Sequence, residues 1–369
     1  MTNIIYDAVI LGAGVIGLAI SRKLALEGKE VLIVEEQGQI GAVTSSRNSG
    51  VIHAGVYYDK NSLKAKFCPE GNRRMYDYCN SRSIPHINTG KFIVATSNNE
   101  IQKLENIYSQ AKDAGVINIE KVSGDNVSKR EPLIKCIEGL YVSSSGIVDT
   151  SALMRSYLGD VEDKGGMVTY NTHFEQADVA NDLFKIIVTQ NNEKIEINSR
   201  ILINATGIYA ETVANNFLFL EKSNIPKTYF AKGNYFETSK NLGIKHLIYP
   251  VPNEASLGLH LGLDMSMTVR FGPDVEWTED INYNVDVDRE GMFYNDIVKY
   301  IPSFDRSLLK PGYSGIRPKL KNKGEGKSDF RIDSVNEHGI SNLVNLFGME
   351  SPGLTSSLVI ADYVSELVN

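Results

Sequence analysis

Hydrophobic and polar positions follow two regimes along the chain. At the start, the unbroken apolar run Ala8-Val9-Ile10-Leu11 gives way to glycines, then to a helical period, then to a second run, Val31-Leu32-Ile33-Val34. Apolar runs without polar interruption predict strands covered on both faces, so residues 1–35 read as β-α-β. Residues 38–58 are rich in Gly and Ser and show no period; a long unstructured stretch inside a compact domain is more often functional than idle. Alternation returns over residues 84–96. Residues 100–114 carry Leu104, Ile107 and Ala111 on one helical face, and residues 140–148 read as a strand pair with a Ser-rich turn, followed by a helix capped by Thr150 or Ser151. Residues 167–203 predict a small antiparallel meander turning at Asn191-Asn192, which leads into an apolar strand ending in Asn204-Ala205-Thr206-Gly207. Short strands recur over residues 227–285. The chain closes as a strand over 343–347, a loop over 348–355 and a helix over 356–368.

The chemistry of the first element lies in Gly12-Ala13-Gly14-Val15-Ile16-Gly17. Gly12 permits the tight strand-to-helix turn, Gly14 lets the backbone approach a pyrophosphate, and Gly17 lets helix and strand pack closely. The helix start presents unpaired N–H groups and partial positive charge to the phosphates. Glu35, 18 residues after Gly17 and at the end of the second run, can accept both hydroxyls of an adenosine ribose. An acid there, rather than a nearby Arg, favours FAD or NAD over NADP. The element near residue 205 and the closing strand-loop-helix share this character, and the segments between them do not. The pattern therefore predicts an α/β protein with a discontinuous Rossmann-type domain, residues 1–85, 141–215 and 310–369. Residues 86–140 and 216–309 are expected to form a second, mostly antiparallel-sheet substrate domain.

Composition narrows the partners. The 369 residues suffice for two domains, and 42% hydrophobic with 22% charged residues is ordinary for a folded globular chain. A net charge of -7 argues against a nucleic-acid partner, because a phosphate-tracking surface needs a basic excess. Cys68, Cys79 and Cys136 are odd in number and lack metal-type spacing, so buried thiols in a reducing compartment are expected and a metal is not. No apolar run approaches the roughly 18–20 residues of a membrane-spanning helix. The first strand is expected within ten residues of Met1, so no leader peptide is expected. A cytoplasmic protein is expected, with room for a peripheral contact on the inner face of a membrane.

Several stretches together resemble a known family. Gly12 to Gly17 with Glu35, Ser45-Ser46-Arg47-Asn48-Ser49-Gly50-Val51-Ile52-His53-Ala54-Gly55, Ala205-Thr206-Gly207, Gly315-Ile316-Arg317-Pro318-Lys319 and Gly348-Met349-Glu350-Ser351-Pro352-Gly353-Leu354-Thr355 are similar to the FAD-dependent D-amino-acid-oxidase superfamily. The second and last stretches resemble its L-2-hydroxyglutarate dehydrogenase/oxidase branch. The resemblance implies noncovalent FAD, oxidation of an L-2-hydroxy acid to the 2-keto acid by hydride transfer to flavin N5, and electrons passed to a quinone or oxygen. Lys232 stands where that family leads one to expect Arg.

On this reading Ser45, Ser46 and Arg47 lie close to the pyrophosphate, and Asn48, Ser49, Gly50, Val51 and His53 pass against the flavin. Ala205, Thr206 and Gly207 border the cofactor. Gly348, Glu350, Ser351, Pro352, Gly353, Leu354 and Thr355 precede a helix whose N–H groups could steady negative charge on the reduced ring. Arg317 is the candidate for the substrate carboxylate, since a guanidinium binds it in a fork. A base is needed for the hydroxyl proton, and His260 is preferred over His53. Tyr58, Tyr249, Tyr57 and Lys232 would shape the pocket, and Lys232, Lys319 and Arg270 are candidates for a second carboxylate. One rival is an amino-acid or amine oxidase on the same scaffold; another is a flavoprotein without turnover.

Overall fold

The apolar run of residues 8–11 is the buried half of strand β1 (Ile5–Leu11), and it is continuous because the strand is flanked on both sides. The computed structural model describes residues 4–252 and 258–368, so Leu257, at the head of the His260 segment, lies outside the described residues. β1 pairs in parallel with β2 (Val31–Val34) and with residues 198–204 of strand Glu193–Asn204. Met167–Thr169 and Leu343–Phe347 extend the parallel core outward. The antiparallel meander is narrower than expected. Strands Thr172–Ala180, Leu183–Gln190 and Glu193–Asn204 form it as a continuation of the same sheet, whereas Met167–Thr169 joins β2 in parallel. Helix α1 (Val15–Leu26) packs against helices Thr150–Glu162 and Gly353–Leu367.

This sheet belongs to the first of two packed units, formed by Met1–Ser46, Thr150–Tyr229 and Arg317–Asn369; the second comprises Arg47–Asp149 and Phe230–Ile316. The first unit's core joins Val9, Leu11, Leu32 and Val34 to Phe184, Ile186 and Phe217.

The second unit carries a largely antiparallel sheet in the order Glu276–Thr278, Tyr229–Thr238, Val269–Phe271, Leu261–Leu263, Leu247–Pro250, Lys91–Ala95, Glu138–Val142 and Ile119–Ser123. Its one parallel contact among the described pairs joins Leu247–Pro250 to Lys91–Ala95. Strand Glu138–Val142 pairs with Lys91–Ala95, while Gly146–Val148 pairs with Val51–Ile52 and His86–Ile87; the expected pairing of the two across their turn does not form. These pairings place residues 47–85 and 141–149 in the second unit rather than with the nucleotide fold, and Phe217 places the segment after residue 215 in the first. Helix Leu63–Ser81 is absent from the sequence expectation. It contains Pro69 and a polar stretch from Glu70 to Arg74, which hide its period.

Candidate functional site

The first unit builds a cradle from backbone geometry. Gly12 adopts φ +97°, and a Cβ there would lie 2.9 Å from the Ala205 carbonyl oxygen. A Cβ on Gly17 would fall 2.0 Å from the Gly12 oxygen, so each glycine is required by a close approach. The Ser45 hydroxyl accepts from the Val15 N–H at 3.0 Å, beside Gly14, which caps the helix without a side chain. Thr44 Oγ1 is buried without a partner among the described residues. Glu35 is 8% exposed at the end of β2, and its two oxygens accept from the Ala13 and Gln37 N–H groups at 2.7 and 2.8 Å. Burial raises its carboxyl pKa, which those N–H groups oppose. Ala205 and Thr206 lead into Gly207, φ +62°, and Thr206 Oγ1 donates to Asn204 Oδ1 at 2.7 Å. The surroundings of Gly207 are open enough that a Cβ would meet only Thr44 Oγ1, at 3.9 Å. A helix start that Gly14 leaves without a capping side chain, an orphaned hydroxyl and glycines with no room for side chains fit a dinucleotide pyrophosphate.

Elsewhere in this unit, Glu350 accepts an ion pair from Lys319 at 2.6 Å. Gly348, φ +67°, turns against Leu320, and Ser351, Pro352, Gly353, Leu354 and Thr355 lead into helix Gly353–Leu367, with Thr355 fully buried. The helix begins at Gly353, earlier than the sequence pattern placed it. Arg317 lies half-buried near the end of strand Leu309–Lys319.

The second unit gathers a different kind of site. His260, directly ahead of strand Leu261–Leu263 rather than within it, stacks on Tyr249 with ring centroids 3.6 Å apart. Lys91 Nζ stands 4.7 Å from the Tyr249 ring centroid and 5.3 Å from that of Tyr57. The His53 carbonyl accepts from Asn72 Nδ2 at 3.0 Å and from Cys68 Sγ at 3.4 Å, so helix Leu63–Ser81 fixes its backbone. Burial, reinforced by Lys91 and His260, holds the His53 imidazole well below its ordinary pKa. Burial pushes the Tyr57 and Tyr249 phenols and the Cys68 thiol well up. The Lys91 ammonium is brought down to about 8, again by burial, with only Cys68 opposing. Cation–π contact of this kind contributes about 0.5–2 kcal/mol, less than the several kcal/mol that desolvating an ammonium costs.

Other expected residues sit apart from this cluster. The Arg47 guanidinium lies over the Tyr283 ring at 4.0 Å, and a Cβ on Gly315 would collide with the Arg47 carbonyl. Asn48 Oδ1 accepts from the Gly50 N–H at 2.6 Å, and its carbonyl accepts from the Tyr313 hydroxyl. Ser46 donates to the Ala42 and Val43 carbonyls; Ser49 precedes Gly50, and Val51 enters the short strand Val51–Ile52. The approach that requires Gly55 is to Pro69, 3.0 Å from where its Cβ would be. Tyr58 is held through its carbonyl by Gln110. The three cations considered for a second carboxylate already have acids: Lys232 with Glu276, Lys319 with Glu350, and Arg270 with Glu237 and Asp264. Lys91 and Thr44 escaped the sequence reading, and Cys68 entered it only as a buried thiol. For Lys91 a signal existed, a charged residue opening the apolar strand Lys91–Ala95.

A glycine-built dinucleotide cradle in one unit and a desolvated His-Tyr-Lys cluster in the other define a flavin-dependent oxidoreductase. The family described as DAO, FAD dependent oxidoreductase, matches residues 7–367, and the chain belongs to it; FAD is its cofactor. The chain is 38% identical to mitochondrial L-2-hydroxyglutarate dehydrogenase of Arabidopsis thaliana, over 97% of this chain and 82% of that one. It is 32% identical to L-2-hydroxyglutarate dehydrogenase of Escherichia coli strain K12, over 86% and 72%. Among solved structures, FAD-bound L-alpha-glycerophosphate oxidase from Mycoplasma pneumoniae superposes with a TM-score of 0.90 at 23% identity, covering 99% of this chain and 95% of that one, which establishes the fold. No helix among the described residues is long and apolar enough to cross a membrane.

Proposed function

We propose that the protein oxidises L-2-hydroxyglutarate to the 2-keto acid. FAD supplies the two-electron acceptor for the hydride that leaves the substrate's C2. Gly12 and Gly17 shape the turn so that Gly14, Thr44 and Ser45 would receive its pyrophosphate, and Glu35 its ribose. Arg317 clamps the C1 carboxylate, which fixes C2. An imidazole nitrogen of His53 takes the hydroxyl proton, with His260 stacked on Tyr249 as the second candidate. The observation that carries this reading is the fixed position of His53, whose carbonyl accepts from Asn72 and Cys68, in surroundings that hold its imidazole below its ordinary pKa. An alcohol must lose its proton as hydride departs, and a neutral imidazole can accept it. The sequence alone favoured His260; the anchored backbone of His53 supports placing it first. The names carried by the plant and bacterial relatives support the substrate. Electrons then pass to a quinone or to oxygen, in the cytoplasm or at the inner face of a membrane.

Anaerobic mixing with L-2-hydroxyglutarate tests the reading. Bleaching of the flavin band with formation of 2-oxoglutarate is expected, and the D-enantiomer and L-glutamate should leave the band unchanged. Bleaching by amino acids alone would replace this reading with amine oxidation.

A further inference from the structure

Strand Lys91–Ala95 is buried along its whole length, and Phe92, Ile93, Val94 and Ala95 are fully covered, as expected for a central strand with neighbours on both edges. Lys91, the first residue of that run, is 1% exposed. Its register partners are Leu247 and Val142, so an apolar side chain would suit the position. Around its ammonium stand the Tyr57 and Tyr249 rings, the Cys68 thiol and the His53 imidazole, with His260 stacked behind Tyr249. These groups include no carboxylate. Among the described residues no Asp or Glu offsets the burial of Lys91. This sets it apart from Lys232, Lys319 and Arg270, each of which is neutralised by an acid of its own unit.

A fold that buries a cation without an anion carries a cost in the free protein that an anionic ligand removes on binding. We propose that Lys91 is the cation that receives the second carboxylate of the substrate, and so sets the preference for a diacid over a monoacid. The inference rests on the reading above that the substrate is a 2-hydroxy diacid, and it assigns the specificity to one side chain of the second unit. The Tyr57 and Tyr249 rings hold the ammonium in place by their faces, leaving its N–H donors for the carboxylate oxygens.

The test compares L-2-hydroxyglutarate with L-2-hydroxyvalerate, which has the same carbon count and a methyl in place of the distal carboxylate. Wild-type holoenzyme should prefer the diacid. In Lys91→Met, kcat/KM for L-2-hydroxyglutarate should fall about 10- to 100-fold, mainly through KM, as expected for loss of a charge-assisted hydrogen bond. The value for L-2-hydroxyvalerate should fall by a much smaller factor, so that the diacid-to-monoacid ratio narrows. FAD content should be unchanged, and the thermal midpoint should hold or rise, because the variant removes a buried charge. Lys91→Gln provides the same comparison if the Met variant does not fold. Equal losses on both substrates would mean that Lys91 acts through His53 and not on the distal carboxylate, which overturns the proposal. A diacid preference that survives in both variants overturns it as well, while leaving the substrate reading intact. Indifference of the wild type to the distal carboxylate would sink both.

Discussion

The two units solve the problem of placing chemistry by opposite means. In the first, the candidate site is backbone: glycines at Gly12 and Gly17 that admit no Cβ, and N–H groups at the start of α1, supplemented by Thr44, Ser45 and Glu35. In the second, the candidate groups are side chains drawn from five separate places, His53 and Tyr57, Cys68, Lys91, Tyr249 and His260, brought together beside an apolar core. A backbone site tolerates changes of side chain but not of space. A side-chain site depends on the identity, charge and placement of each group.

Substitutions that alter one property at a time can break or sharpen this contrast. His53→Ala should slow anaerobic flavin reduction about 10²–10⁴-fold in stopped flow with the FAD spectrum intact. A wild-type rate in that variant, with loss in His260→Ala, would move the base to the stacked ring. The pH profile gives a second reading. The folded pKa of His53 lies below its ordinary value, so the base stays neutral and the rate stays flat down through that value, falling only at lower pH. Stability follows the same sign: protons favour the unfolded chain, so stability is lost as pH falls through the ordinary histidine range.

Arg317→Lys is expected to cost about 10²-fold in kcat/KM for a 2-hydroxy acid, since a point charge replaces a fork and C2 loses its alignment. Unchanged steady-state kinetics would remove Arg317 from the site. In the cradle, Glu35→Ala should weaken FAD by about 1.5–3 kcal/mol, read as the dissociation constant by fluorescence. Gly17→Ala tests space rather than charge, and it should prevent FAD retention altogether if the 2.0 Å approach to Gly12 is rigid. The smallest effect concerns Lys91. Its folded pKa of about 8 lies below the unfolded 10.5, so between those values the unfolded chain binds more protons at this group and its contribution to stability rises with pH. Read as the difference between wild type and Lys91→Met in chemical denaturation, which cancels the opposing buried thiols and phenols, the slope should approach on the order of 1 kcal/mol per pH unit.

The same contrast explains what could be read from the sequence. The cradle was legible because glycine identity, apolar runs and a terminal acid are local, and a local pattern survives without knowledge of the fold. The three-segment order of the first unit was legible for the same reason, although its boundaries were not. Residues 47–85 follow the ribose-binding strand in sequence, yet Val51–Ile52 pairs with Gly146–Val148 and Asn72 bonds the Ser144 carbonyl, partners about 70 to 95 positions away. Helix Leu63–Ser81 was hidden by its polar face and Pro69. Lys91 was missed because a lysine at the edge of an apolar run reads as a strand terminus near solvent, and only the neighbouring strands bury it.

The interrupted order of the first unit bears on how the protein is made. β1, α1 and β2 leave the ribosome before strand Glu193–Asn204, helix Thr150–Glu162 and helix Gly353–Leu367, against which they pack. At about 5–20 residues per second, the wait from β2 to the closing strand and helix is on the order of tens of seconds. Through that interval the apolar strands and one flank of α1 lack their coats, an invitation to chaperone capture or aggregation. Completion of this unit waits for its last helix, and riboflavin supply during expression is expected to raise the yield of soluble protein as well as of active enzyme.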